Sequence, residues 1–215
     1  MANRYRFDLR DDVTADAIDA SPLQPAYLDR IDDPASLTTD ADATATPLGD
    51  LFRITVTDDA AVPTLELTGE TSRLHRIAAA ADGMRNGLSR GRIVVHGDAG
   101  PMAGHRMRRG ELFIDGDADR FLAASMIAGT IAVTGSIAGE PMLAARRGTL
   151  IHRHAFVAPP QRFTRPFPTD VTWLRLINVE GLPPRVATLL RPDRPRAARR
   201  RTAAAEVIRM DCGDA

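Results

Sequence analysis

The middle of this chain repeats itself with a period of 19. Gly91, Gly110, Gly129 and Gly148 stand at that spacing, and Gly97, Gly116 and Gly135 form a second series in phase with it. The copies read GRIVVHG, GELFIDG, GTIAVTG and GTLIHRH. A fixed period of about 20 residues marks stacked repeats, each burying its apolar face against the next. A strand–helix–strand unit needs about 30 residues or more, so this repeat is too short for one. It fits one coil of a parallel β-helix, with successive strands paired about 4.8 Å apart.

Read one period at a time, the copies give apolar columns. One is Ile93, Leu112, Ile131 and Leu150; two places on lie Val95, Ile114, Val133 and His152. Alternate residues of a strand face the same side, so both columns are expected to line one interior. Leu88, Met107, Met126 and Ala145 supply a second inner wall. The glycines bracket each strand where the coil must turn, because glycine takes positive φ without steric penalty. An apolar residue at every sixth position, the pattern of left-handed acyltransferase coils, holds at Ile131, Ile137 and Leu143 and at Leu112, Ala118 and Ala124, but fails at Ile93, Ala99 and His105. The expected fold is all-β dominated: a right-handed single-stranded parallel β-helix with small N- and C-terminal capping segments.

Three regions follow. Residues 1–62 carry alternating strand patterns at Tyr5–Arg10 and Leu51–Val56, with a polar, proline-punctuated stretch between them. Residues 63–155 are the repeat, opening with an irregular first coil at Leu65–Leu67 and Leu74–Ile77. Residues 156–215 break it, starting at Pro159, Pro160, Pro166 and Pro168. There Arg185–Leu190 reads as a short helix, and so does Ala197–Val207. Open ends of a stacked fold need covering, and the two flanking regions are placed to be the caps.

Charge divides along the same lines. Residues 1–62 hold 5 Arg against 13 Asp, whereas residues 63–155 hold 12 Arg against 9 acids and residues 156–215 hold 11 Arg against 6. The chain as a whole is neutral, which argues against nucleic acid as its partner. It has no lysine, which excludes a Schiff-base or P-loop lysine. Cys212 is the only cysteine, so a disulfide framework and a thiolate metal cluster are excluded too. No apolar run approaches the roughly 18 residues of a membrane span, and the first residues lack a signal-peptide core. A cytoplasmic location is expected.

The segments Ile93-Val94-Val95-His96-Gly97-Asp98-Ala99-Gly100, Met107-Arg108-Arg109-Gly110 and Met126-Ile127-Ala128-Gly129-Thr130-Ile131 match a family pattern, G-x-I-x-V-x-G-D-A-G followed by M-x-x-G. The chain resembles the C component of formylmethanofuran dehydrogenase and of the bacterial formyltransferase/hydrolase complex. The FDLR and GDLF segments extend that likeness to the N-terminal region. The repeat is shorter than the family's by a few coils, and it weakens with distance: Asp119 stands where the first copy has Gly100, and Ala123 where it has Gly104.

The resemblance implies a fold and a place in one-carbon metabolism. The glycine-repeat domain is shared with the C-terminal domain of glutamate synthase large subunits, a right-handed parallel β-helix. The partners would be the amidohydrolase-like A component, the B component and the formyltransferase D component. They would pass formyl groups between a methanofuran-type carrier and formate, as in methylotrophy and methanogenesis. Metal would belong to those partners. The C component is implied to be a non-catalytic scaffold that binds no cofactor itself. Two other classes stand beside it: a left-handed acyltransferase-like enzyme, for which His105 is the one candidate catalytic histidine, and a glutamate-synthase-like docking module.

Candidate chemistry is sparse. His152 and His154 form H-x-H, but a metal site needs three or four ligands. Asp98, Asp117 and Ser136 form a column after a turn glycine, where Asp ordinarily caps its own backbone. Arg90, Arg109 and Arg147 share another column, with Arg108 and Arg146 beside them. Guanidinium groups suit carboxylates, so this stripe is the candidate surface for an acidic partner or, by the resemblance, a polyglutamate tail. The basic run Arg194, Arg196, Arg199, Arg200 and Arg201 lacks interleaved aromatics and reads as partner docking or a solvated face. No catalytic or metal-ligating residue is expected in this chain.

Overall fold

The computed structural model describes residues 1–139, 141–152, 167–168, 177–190 and 206–209. The strands are β1 (Ala2–Leu9), β2 (Ile18–Asp19), β3 (Thr38–Ala41), β4 (Thr44–Pro47), β5 (Phe52–Ala60), β6 (Thr64–Thr68) and β7 (Leu74–His75). Then come β8 (Arg92–Val95), β9 (Glu111–Ile114), β10 (Thr130–Val133), β11 (Thr149–His152), β12 (Phe167–Pro168) and β13 (Glu206–Arg209). Short helices occupy α1 (Pro25–Leu28), α2 (Leu48–Leu51) and α3 (Pro184–Leu190).

The repeat becomes a parallel ladder. Ile93 pairs with Leu112, Leu112 with Ile131, and Ile131 with Leu150, each step advancing by one period. The columns Ile93–Leu150 and Val95–Val133 are fully buried, and so are Leu88, Met107 and Met126 behind them. A second parallel contact, Ala99 to Ala118 to Ile137, runs beside the ladder at the same period. β6 joins β8 with a longer step, since Leu65 pairs with Ile93. The segment between them is therefore longer than in the later copies, and it carries β7, which pairs with β2.

The ladder does not stand alone, and the sheet is not purely parallel. It belongs to a nine-stranded mixed sheet in the order β12-β13-β11-β10-β9-β8-β6-β1-β5. β1 runs parallel to β6, β5 runs antiparallel to β1, and at the other end β13 runs antiparallel to β11. The expected all-β dominance holds, but the expected right-handed single-stranded parallel β-helix is corrected to a mixed sheet: strands from both flanking regions pair with the ladder's edges, because an open strand edge leaves backbone N–H and C=O groups unmet. The Ala197–Val207 helix is corrected too, since Val207 lies in β13 opposite Ile151; the rest of that segment lies outside the described residues.

The polar stretch between β1 and β5 is more ordered than its composition suggests. It contributes β2, β3 and β4 to a second sheet, β4-β3-β2-β7, and its leucines enter the main core. β3 and β4 are joined by Asp42 and Ala43, both at positive φ (47° and 62°), the conformation of a tight hairpin turn. Phe7 and Phe52 meet edge to face at 5.6 Å between ring centroids. One apolar core runs unbroken from these residues through Leu65 and Leu67 to Leu150.

The opposite face of the ladder is buried as well. Val94, Phe113, Ala132 and Ile151 form a third apolar column, covered by Ile177, Leu182, Val186, Leu189 and Leu190. α3 supplies three of those covering residues, in agreement with the helix expected at Arg185–Leu190. Parallel strands are commonly buried on both faces, which is why RIVV and ELFI read as nearly continuous apolar runs.

Candidate functional site

The glycine column Gly91, Gly110 and Gly129 sits where β8, β9 and β10 begin. A Cβ at Gly110 would stand 2.6 Å from the Gly91 carbonyl oxygen, and its φ is +87°. Bare backbone at these corners leaves a trench of about 800 Å³. Gly91, Gly110, Gly129, Pro63 and Val62 line it, with Arg90, Arg92 and Arg109. Arg90 and Arg109 are exposed and make no ion pair among the described residues. Of the expected arginine stripe, the trench collects these two. Arg108, Arg146 and Arg147 are exposed but do not line it.

Arg92 behaves differently from its neighbours. It is buried, lies with its guanidinium 5.1 Å from the Phe113 ring centroid, and donates from Nε and Nη2 to Glu111 Oε2 at 2.8 and 2.6 Å. Glu111 occupies the position of Arg92 one coil later, so the pair staples β8 to β9. No motif singles this pair out; opposite charges one period apart are its only trace in the sequence.

Arg92 also lines a smaller pocket of about 200 Å³ beside the trench. The floor of that pocket is Glu66, a buried carboxylate on the same sheet face as Val94. Arg4 Nη1 donates to Glu66 Oε1 at 2.5 Å, and Arg6 Nη2 lies 3.3 Å from Oε2. Arg4 also donates to Asp59 at 3.0 Å. Burial works against the Arg4 cation, but the hydrogen bonds to Glu66 and Asp59 outweigh it and raise its pKa. Thr57 first, and then Arg4, hold the Asp59 carboxyl below its ordinary range. Across the strand, His96 Nε2 is buried without a hydrogen bond, 3.9 Å from Glu66. Burial pushes His96 down, and the charge of Glu66 only partly restores it.

The remaining candidates resolve as structural contacts. Asp98 accepts a hydrogen bond from the Asp117 backbone N–H at 2.7 Å, and Asp117 accepts one from that of Ser136 at 2.7 Å. Each carboxylate thus caps the next coil rather than its own, a correction to the expected local cap. His152 Nε2 lies 2.6 Å from the Gly135 carbonyl oxygen and so donates to it. His154 and Arg194–Arg201 lie outside the described residues. His105 is pushed down by burial and then by the positive charges of Arg106 and Arg76. Among the described residues, no three His, Cys, Asp or Glu side chains gather as a metal site, and no helix is long and apolar enough to cross a membrane.

No protein-family model and no curated protein matches the chain. Among solved structures it is similar to a chain in the crystal structure of the formyltransferase/hydrolase complex from Methylorubrum extorquens, determined in complex with methylofuran. The identity is 22%, the match covers 80% of this chain and 84% of that one, and the TM-score is 0.43.

Proposed function

We propose that this chain is a non-catalytic scaffold subunit of a formyltransferase/hydrolase-type complex, in the position of its C component. The observation that carries the reading is the G-x-I-x-V-x-G-D-A-G repeat, whose copies pair in register one period apart. In this reading the ladder and the Ala99–Ala118–Ile137 row are two parallel walls of the scaffold. Residues 1–62 and 156–215 act as its caps. The trench with Arg90 and Arg109 is the docking face for an acidic partner surface or the polyglutamate tail of a furan carrier, with Arg108, Arg146 and Arg147 extending the basic stripe. Catalysis and metal belong to the amidohydrolase-like and formyltransferase partners, and the complex works in the cytoplasm.

The test is a tagged pull-down from the native host, with formate release from a formylated carrier measured in the eluate. Amidohydrolase-like and formyltransferase partners are expected to co-purify with activity. The Arg90→Glu/Arg109→Glu variant is expected to fold normally and lose most of both. Recovery of the tagged chain without either partner overturns the reading.

A further inference from the structure

The nine-stranded sheet ends on β5, which pairs with β1 on one side; among the described residues, no strand lies against its other edge. The edges of the second sheet are short: β7 has two residues, and β4 has four and ends in Pro47, which has no N–H to offer. β5 has nine, and from Arg53 to Asp59 none is buried. Its centre, Ile54-Thr55-Val56-Thr57, is an unbroken β-branched run, and Val56 is 48% exposed. Such an edge presents a row of unmet backbone donors and acceptors to any strand that can match it.

The charges on β5 select the match. Arg53 stands at one end with its side chain 77% exposed, and Asp58 and Asp59 stand at the other. Arg53 makes only a long contact to Asp8, at 3.4 Å, and Asp59, which holds Arg4 at 3.0 Å, keeps its side chain 62% exposed. A parallel copy would set Arg53 beside Arg53 and acid beside acid. An antiparallel copy centred on Val56 sets Val56 against Val56, Thr55 against Thr57, and Arg53 of each copy against Asp59 of the other, on one face of the sheet. Opposite charges across paired strands attract, and like charges repel.

We infer that β5 pairs antiparallel with β5 of a second copy, across a two-fold axis at Val56, so that the sheet continues through a homodimer. The contact is self-complementary, as a two-fold interface must be. It is independent of the scaffold reading, since β5 lies at the sheet end opposite to β11 and β13.

Sedimentation velocity on the full chain across a concentration series tests this. The wild type is expected to pass from monomer to dimer. Arg53→Asp is expected to weaken the dimer about tenfold, because two facing pairs turn from attractive to repulsive. Adding Asp59→Arg to that variant, at the position that faces residue 53, restores the opposite-charge pair and with it the dimer. Val56→Lys, which sets two ammonium groups face to face on the axis, weakens it independently. Circular dichroism confirms that each variant is folded. A wild type that stays monomeric throughout overturns the inference. So does a dimer indifferent to both Arg53→Asp and Val56→Lys, or a charge swap that fails to restore association.

Discussion

Ala43 holds φ at 62° in the β3–β4 turn, where a methyl group is a burden. An L-residue in the left-handed region costs about 1–2 kcal/mol, and glycine escapes most of that. Ala43 is exposed, so Ala43→Gly loses no packing and is expected to raise stability by about 1 kcal/mol in urea unfolding. The hairpin is hidden in the sequence for the same reason: Asp-Ala, unlike Asp-Gly, is not a recognisable tight-turn signal. Gly110 is the reverse case. Gly110→Ala adds a Cβ at positive φ, 2.6 Å from a backbone oxygen, and is expected to cost about 3 kcal/mol by the same measurement. His96 sets a pH dependence. Its folded pKa lies below the ordinary 6.5, so the unfolded chain takes up the proton first as pH falls. That contribution to stability is whole above 6.5 and is lost as pH falls from there through the folded pKa. His105 shifts in the same direction. Thermal unfolding from neutral to mildly acid pH is expected to show falling stability, with a shallower slope for His96→Gln and shallower still with His105→Gln added.

At the level of elements, the strands of the ladder and its inner face were legible, and its second face was not. The periodic columns dictate which residues pair and in what register, because each repeat carries the same pattern. Val94, Phe113, Ala132 and Ile151 form a buried column that was not singled out from the sequence, and their cover comes from residues 177–190, which share no period with the repeat. Phe113 joins the two roles of this face: it packs in the outer core and lies under the Arg92 guanidinium. Phe113→Ala is expected to cost about 3–5 kcal/mol, since it opens a cavity in a closed layer. Phe113→Leu, which keeps most of the volume, is expected to lose less than half of that. Equal losses from the two, read by denaturant titration, would show that the ring's contact with Arg92 outweighs its packing.

On the scale of the whole molecule, each ladder step from β8 to β11 advances by one period, so removing a whole period keeps the pairing in register. Excising residues 112–130 removes one full period and leaves Glu111 to continue directly into Ile131. Register, the Arg92–Glu111 staple and the contacts of α3 with β10 and β11 are all preserved. The shortened chain is expected to unfold in one sharp transition, whereas excising only 112–120 puts every following column out of phase and should yield no cooperative transition. Circular dichroism during heating separates the two outcomes. The period, the buried columns of the inner face and the corners that tolerate only glycine could be read from the residues, because they follow from a local pattern repeated in phase. It took the folded chain to reveal that β1 inserts between β5 and β6, that Arg4 reaches Glu66, and that the step between strands lengthens at the first coil. Such pairings rest on complementarity between segments that occur once, and a single occurrence leaves no periodic trace to read.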